Sequence, residues 1–523
     1  MISLDLQTIA DITGGRLNAA ADPHTRVTGF VEFDSRKVAE GGLFVALAGT
    51  RADGHDFAAA AVEQGAAAVL AARDVDAPAI IVPGLAPGKT KEDKRGADNS
   101  ALAANDRDGS VAAVVEGMSK LAAHVARELT QHHGLSITGV TGSAGKTSTK
   151  DLIAAVLGTS GETVAPPGSF NNEIGHPYTV LRCTETTDYL VAEMSARGIG
   201  HIAHLAAIAP PRIGVVLNVG SAHLGEFGSR ENIALAKGEL VEALPAAHSG
   251  GVAILNADDD LVSAMALRTR ARVVTFSTQS TSADYYATDI ELDDVARATF
   301  TLHSPGGEPQ RVQLNVFGAH QVSNALAAAA VGVESGVPAA TVASALSNAH
   351  GVSVNRMDVN TREDGVTVIN DAYNANPDSM RAGIAALGYT AAARPGVRSI
   401  AVLGEMAELG RDSVDTHREL GDELARYRVT HLVAVGQSEA MEALVAQARA
   451  QGIWTRSVLG VPEASQAVAA ILSAPPAGEE GWYNRMVRDV VLVKASNSAG
   501  LWGVAENLLA GHTIKTGKTL KNG

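Results

Sequence analysis

A chain of 523 residues exceeds what one hydrophobic core organises and implies about three domains of ordinary size. Its 42 basic and 57 acidic residues leave a net charge of −15, which argues against a general nucleic-acid binder and requires any anionic ligand to be held by local positive groups. One cysteine, Cys183, excludes an internal disulfide; with no secretory signal and no apolar run long enough to span a bilayer, a cytoplasmic, soluble chain without membrane insertion is expected.

In chain order, residues 1–84 mix short apolar strands ("LFVAL", "AAAVLAA", "AIIVPG") with an alanine-rich helical pattern at 57–65, as in a small α/β unit. Residues 85–110 turn abruptly polar and charged and read as a linker or disordered loop. Apolar residues from Val111 to Leu129 then recur with helical spacing and lead into the strand "SITGV". The strands "DYLVAEM", "IGVVLNV", "GVAILN" and "RVVTFS" alternate with helical stretches between 188 and 276, which predicts a mainly parallel sheet. A β-rich stretch at 283–317 has hairpin-like alternation and precedes an alanine-rich helix at 320–335. From 352 the strands "GVTVIND", "RSIAVLG", "HLVAVG" and "DVVLVKA" alternate with helices again, a doubly wound pattern, and the tail "GHTIKTGKTLKNG" is expected to fray. The expected fold class is therefore α/β with three domains: a small N-terminal α/β unit (1–84), a polar insertion (85–110), a central mainly parallel phosphate-loop domain with an added β-rich segment (111–351), and a C-terminal Rossmann-like domain (352–523).

The segment "SITGVTGSAGKTSTKDLI" departs from the usual Gly-x-x-x-x-Gly-Lys-[Ser/Thr] phosphate loop, because Val140 stands where the first glycine belongs. The working parts remain. Gly142, Ser143, Ala144 and Gly145 make a tight turn from strand to helix, whose backbone N–H groups and helix N-terminus suit phosphate oxygens. Lys146 reaches the terminal phosphates, Thr147 is placed for magnesium, and Ser148 continues the loop into the helix. Glu193 closes "DYLVAEM" and His223 follows "IGVVLNV"; either alone reads as an ordinary polar loop residue, but beside a phosphate loop the two could share a metal ion. Lys237 reads by pattern as a solvated helix lysine.

"TGSAGKTSTK", Glu193, "NVGSAHLGEFGS", "ALAKGEL", "LNADDD" and "GAHQVSNALAAAAVG" occur in the order seen in the Mur ligases, which these segments resemble. Those ATP-dependent enzymes assemble the peptide of cell-wall precursors, their contracted phosphate loop is like this one, and folylpolyglutamate synthetases are their relatives. "NNEIGHPYTVLR", "INDAYNANPDSM" and "VLGEMAELG", with the N-terminal "DSRKVAEGGLFVALAGTRADGHDF", are similar to the D-alanyl-D-alanine-adding branch. The resemblance implies a monomeric ligase using ATP and Mg2+, with UDP-N-acetylmuramoyl-tripeptide and D-Ala-D-Ala as substrates. It assigns Lys146 and Thr147 to phosphates and magnesium, Glu193 and His223 to magnesium, and a carbamylated side chain to Lys237. It places Asn324 at the adenine, Asp371 at the ribose and Arg356 among the nucleotide contacts, with Asn256 and Asp258 bordering that region. Ser35 and Arg36 correspond to positions facing the uridine nucleotide, and Asn171 and Asn172 to positions near the muramoyl-peptide. For the asparagines, turn-making side chains bonded to their own backbone stand as the alternative.

Three positions depart from the family pattern: Asn355 precedes Arg356 where glycine is usual, and "VKASNSAGLW" carries Ala495 and Asn497 where glycine and arginine are usual. The other readings are a folate-type or different Mur-type ligase and a phosphate-loop switch or motor. The switch would carry a full Walker loop and a strand-end aspartate for magnesium.

Overall fold

The computed structural model describes residues 1–523 except 50–51, 85–105, 107, 167, 221–223, 352, 354, 395, 475–488 and 511–523. The polar segment expected at 85–110 and the tail from 511 thus lie wholly or almost wholly outside the described residues.

Among the described residues the N-terminal sheet has five strands, with the alanine-rich strand Ala66–Ala71 at its centre between Gly42–Val45 and Ala79–Ile81. Those pairings are parallel, and only the edge strand Arg16–Leu17 runs antiparallel. Helix Ser110–His132 follows, its apolar stripe of Val114, Met118, Leu121, Val125 and Leu129 fully buried. The side chain of Asp106 accepts from the backbone N–H groups of Val111 and Ala112 at 3.0 and 2.9 Å, satisfying donors that helix geometry leaves unpaired. Residues of this helix share one core with Leu43 and Ile80 of the N-terminal sheet and with Ile137 and Leu190 of the next, so it ties two layers together.

Among the described residues the central sheet has nine strands. Strand Ser136–Thr141 lies in its interior, parallel to Tyr189–Glu193 on one side and Ile213–Val216 on the other. The register sets Glu193 opposite Val140 and Val216 opposite Thr141, so the loops leaving these strands open on one edge. That edge is where open parallel sheets place ligands. The stretch expected to be β-rich forms strands Tyr285–Leu292, Arg297–His303 and Gln310–Phe317, the last two added antiparallel.

Among the described residues the C-terminal sheet has six strands, five of them parallel, flanked by separate apolar cores on its two faces. Two edge strands escape the sequence reading. Asp358–Thr361 is mostly polar, and Trp454–Val458 is exposed at most of its positions, so neither carries the apolar signature of a buried strand.

Candidate functional site

The turn after strand Ser136–Thr141 is tight because Gly145 adopts φ +84°, and a Cβ there would meet Asn324 Oδ1 at 2.6 Å. Both facts demand glycine at this position. The loop is braced by a residue that motif reading passes over: Asn218 Oδ1 accepts from the Ala144 N–H at 2.9 Å, and Asn218 Nδ2 donates to the Ala144 carbonyl at 3.1 Å. The Ser143 hydroxyl in turn accepts from the Gly220 N–H at 2.9 Å.

Lys146 opens helix Lys146–Leu157 and folds back to donate to the Gly142 carbonyl at 2.7 Å. Its pKa is lowered by burial, an effect opposed by the Glu193 carboxylate and reinforced by the Arg356 cation. Thr147 Oγ1 donates to Glu193 Oε2 at 2.8 Å and lies 3.0 Å from Ser169 Oγ, while Asn171 Nδ2 holds the other Glu193 oxygen at 2.7 Å. Glu193 is buried at its strand end, so these bonds fix a carboxylate and a hydroxyl beside the phosphate loop. Among the described residues no three His, Cys, Asp or Glu side chains gather as a metal site, and His223 lies outside them. Hard oxygen donors in a small set suit magnesium, which keeps several waters and takes phosphate oxygens as further ligands.

The expectation that Lys237 is solvated is corrected. It is 5% exposed, on the inner face of helix Arg230–Glu242. Burial, and after it the Lys146 ammonium, hold its pKa well below the ordinary lysine range. Period alone misplaces it because the other polar residues of this helix obscure the buried face.

Two cavities meet at the loop. One of about 430 Å³ is lined by Gly145, Ser148, Asn324, Arg356 and Asp371, with Asn218 and Asp259 at its wall. Asn324 is held by Gln321 at 2.9 Å, and Asp259 accepts from the Val219 N–H at 2.8 Å. The other cavity, about 470 Å³, runs from Lys146, Glu193, Asn171 and Asn172 to Asn374 and Ser498 of the C-terminal unit. Arg356 stacks over the Tyr373 ring at 4.2 Å and donates to Ser169, crossing from one unit to the other. Asn376 does the same by donating to the Ser143 carbonyl at 3.4 Å. Asn355, where the pattern has glycine, adopts φ +59° and accepts from Asn370 Nδ2 at 2.8 Å, a side-chain bond that supports its strained backbone.

Other sequence candidates sit elsewhere or do local work. Asn172 Oδ1 accepts from the Gly175 N–H at 2.9 Å, the turn-making role held open for it, while still lining the larger cavity. Asn256 donates to the Leu217 carbonyl at 2.8 Å, and Asp258 accepts from the Thr278 N–H at 2.7 Å, so both brace neighbouring strand ends. Ser35 and Arg36 lie in a short 3-10 turn of the N-terminal unit, where the exposed Arg36 guanidinium pairs with Asp34. Lys494, Tyr373 and Asn218 line the cavities without having been singled out; the one signal in sequence was a lysine ending the otherwise apolar strand "VVLVK".

Residues 28–115 match the Mur ligase family, catalytic domain, residues 140–332 the Mur ligase middle domain, and residues 355–497 the Mur ligase, glutamate ligase domain. The chain is 52% identical to the UDP-N-acetylmuramoyl-tripeptide–D-alanyl-D-alanine ligase of Mycobacterium tuberculosis (strain ATCC 25618 / H37Rv), over 98% of this chain and 99% of that one. It is 35% identical to the Escherichia coli (strain K12) ligase of the same name, over 84% and 87% of the two chains. Among solved structures, MurF from Acinetobacter baumannii superposes with a TM-score of 0.77 at 27% identity, covering 97% of this chain and 99% of that one. MurF ligase from Thermotoga maritima in complex with ADP gives 0.70 at 27% identity, covering 94% and 99%.

Proposed function

The chain belongs to the Mur ligase family, and on that premise we propose the reaction it performs: ATP-dependent joining of D-Ala-D-Ala to UDP-N-acetylmuramoyl-tripeptide in peptidoglycan precursor synthesis, with release of ADP and phosphate. The observation that carries the reading is the join between the two cavities. A nucleotide-sized space beside Asn324 shares Ala144, Gly145, Arg356 and Asp371 with a second space, which holds Lys146 and the Thr147–Glu193 pair and is walled by two units of the chain.

A carboxylate is a poor acyl donor because its oxygen leaves badly. In the proposed course the terminal carboxylate of the tripeptide attacks the γ-phosphorus of ATP, the bond to ADP breaks, and an acyl phosphate forms. The amine of D-Ala-D-Ala then adds to the carbonyl, and the tetrahedral intermediate expels phosphate as the amine gives up its proton. Lys146 and the loop N–H groups neutralise charge on the transferring group, a matter of position and electrostatics. Thr147 and Glu193, with His223, would hold Mg2+, which when bound offsets phosphate charge. Burial lowers the Lys237 pKa and so favours the neutral amine that reaction with carbon dioxide requires; its carbamate would add an anion near that position.

Residues 1–84, with Ser35 and Arg36, take the UDP part of the substrate in this reading. Residues 111–351 take ATP, and residues 352–523 close over both and hold the dipeptide with Asn171 and Asn172 facing the peptide. In this reading the chain works as a cytoplasmic monomer. Among the described residues no helix is long and apolar enough to cross a membrane.

Tripeptide labelled with oxygen-18 in its terminal carboxylate tests the chemistry. Phosphate carrying one labelled oxygen is the expected product, and unlabelled phosphate contradicts the acyl-phosphate course.

A further inference from the structure

The larger cavity has cations on its wall, and most are committed. Lys146 donates to the Gly142 carbonyl at 2.7 Å, Lys494 is 1% exposed and bonded to Asp371, and Arg356 is stacked on Tyr373 and bonded to Ser169. Arg197, four residues beyond Glu193, is placed differently. Its Nη2 lies 3.4 Å from Glu408 Oε1, and the two side chains are 36% and 34% exposed. Glu408 belongs to the C-terminal unit and adopts φ +65°, a conformation that costs energy for a residue with a Cβ. Its loop is fixed on both sides. A Cβ at Gly225 would meet the Gly410 N at 2.7 Å, and the Ala407 N–H donates to Ser496 Oγ at 3.2 Å. Ser496 and Asn497 complete the same wall.

We propose that Arg197 binds the carboxylate of the incoming D-alanyl-D-alanine, and that the Glu408 carboxylate occupies that place when the dipeptide is absent. The proposal rests on the ligase reading above. The dipeptide must present its amine at the Lys146–Glu193 end, and an extended dipeptide spans at most about 7 Å, so its carboxylate needs a cation on the same cavity wall. Asn497, which lines the same cavity, offers no charge. A half-exposed ion pair is weak in water and exchanges readily for a carboxylate that also gains hydrogen bonds in a closing cleft.

The test compares D-Ala-D-Ala with its C-terminal amide as acceptors, by ADP release at saturating ATP and UDP-muramoyl tripeptide, in the wild type, R197M and R197K. The wild type should prefer the free acid by roughly 10- to 100-fold in kcat/KM, the scale of one bond to a charged group. R197M should lose that factor on the acid, chiefly through KM, and keep its rate with the amide, so that the preference falls to near one. R197K should recover part of it. Equal losses on acid and amide in R197M would make Arg197 a contact between units and overturn the proposal, as would a raised KM for the tripeptide alone. A wild type that releases no ADP with D-Ala-D-Ala would instead overturn the ligase reading itself, and one that accepts acid and amide equally would overturn only the role of Arg197.

Discussion

Lys494 Nζ lies 2.5 Å from Asp371 Oδ2, joining the ends of two neighbouring parallel strands where Asp371 lines both cavities. The same ammonium donates to the Asn374 carbonyl at 3.0 Å, so one buried cation orients Asp371 and the loop that follows it. Removing one member of a buried pair leaves the other uncompensated, at a cost of about 3–5 kcal/mol. K494M should therefore lose stability on that scale in denaturant unfolding. The double variant D371N/K494M should recover much of it while remaining a poor enzyme, because Asp371 is no longer available at the nucleotide.

Lys146 tests the phosphate loop. Lys146→Ala should lower turnover by roughly 100-fold or more, the scale for losing one preorganised electrostatic donor, with an unchanged circular dichroism spectrum and melting temperature. Near-normal turnover would remove the phosphate-loop role from this lysine.

Lys237 carries the most specific chemical expectation. Lys237→Ala and Lys237→Arg should both abolish most ligase activity, arginine because it stays cationic and cannot be carbamylated. Formate should partly restore the alanine variant by supplying an anion. Carbon-13 bicarbonate should give the wild type a bound carbamate resonance that Lys237→Ala lacks. A fully active Lys237→Arg enzyme would reduce Lys237 to a buried helix residue.

His176 makes acid stability legible. Burial lowers its pKa from 6.5 to about 4, and among the described residues its Nε2 finds no hydrogen-bond partner. The folded state disfavours the charged ring, so the stability it contributes is complete above 6.5 and is lost as pH falls toward the folded value. Between those limits the wild type should lose roughly 3 kcal/mol through this residue, and His176→Leu should flatten that part of the stability–pH curve.

The sequence made the phosphate loop, Glu193 and the alternating strands legible because each follows a local rule: a glycine turn before a helix, a polar residue closing an apolar strand, apolar runs between helices. Helical period alone misread Lys237, since burial of one helix face depends on what packs there. Motif reading passed over Asn218, whose bonds to Ala144 join two strand ends far apart in the chain. The polar edge strands Asp358–Thr361 and Trp454–Val458 were likewise hidden, because only pairing with a neighbour makes them strands.

The most direct test of the ligase assignment is ADP release measured with ATP and every combination of UDP-N-acetylmuramoyl-tripeptide and D-Ala-D-Ala. Sustained turnover that requires both substrates together, with one amide product formed per ADP, is the predicted result. Sustained ATP hydrolysis with either one alone, or with neither, would contradict it.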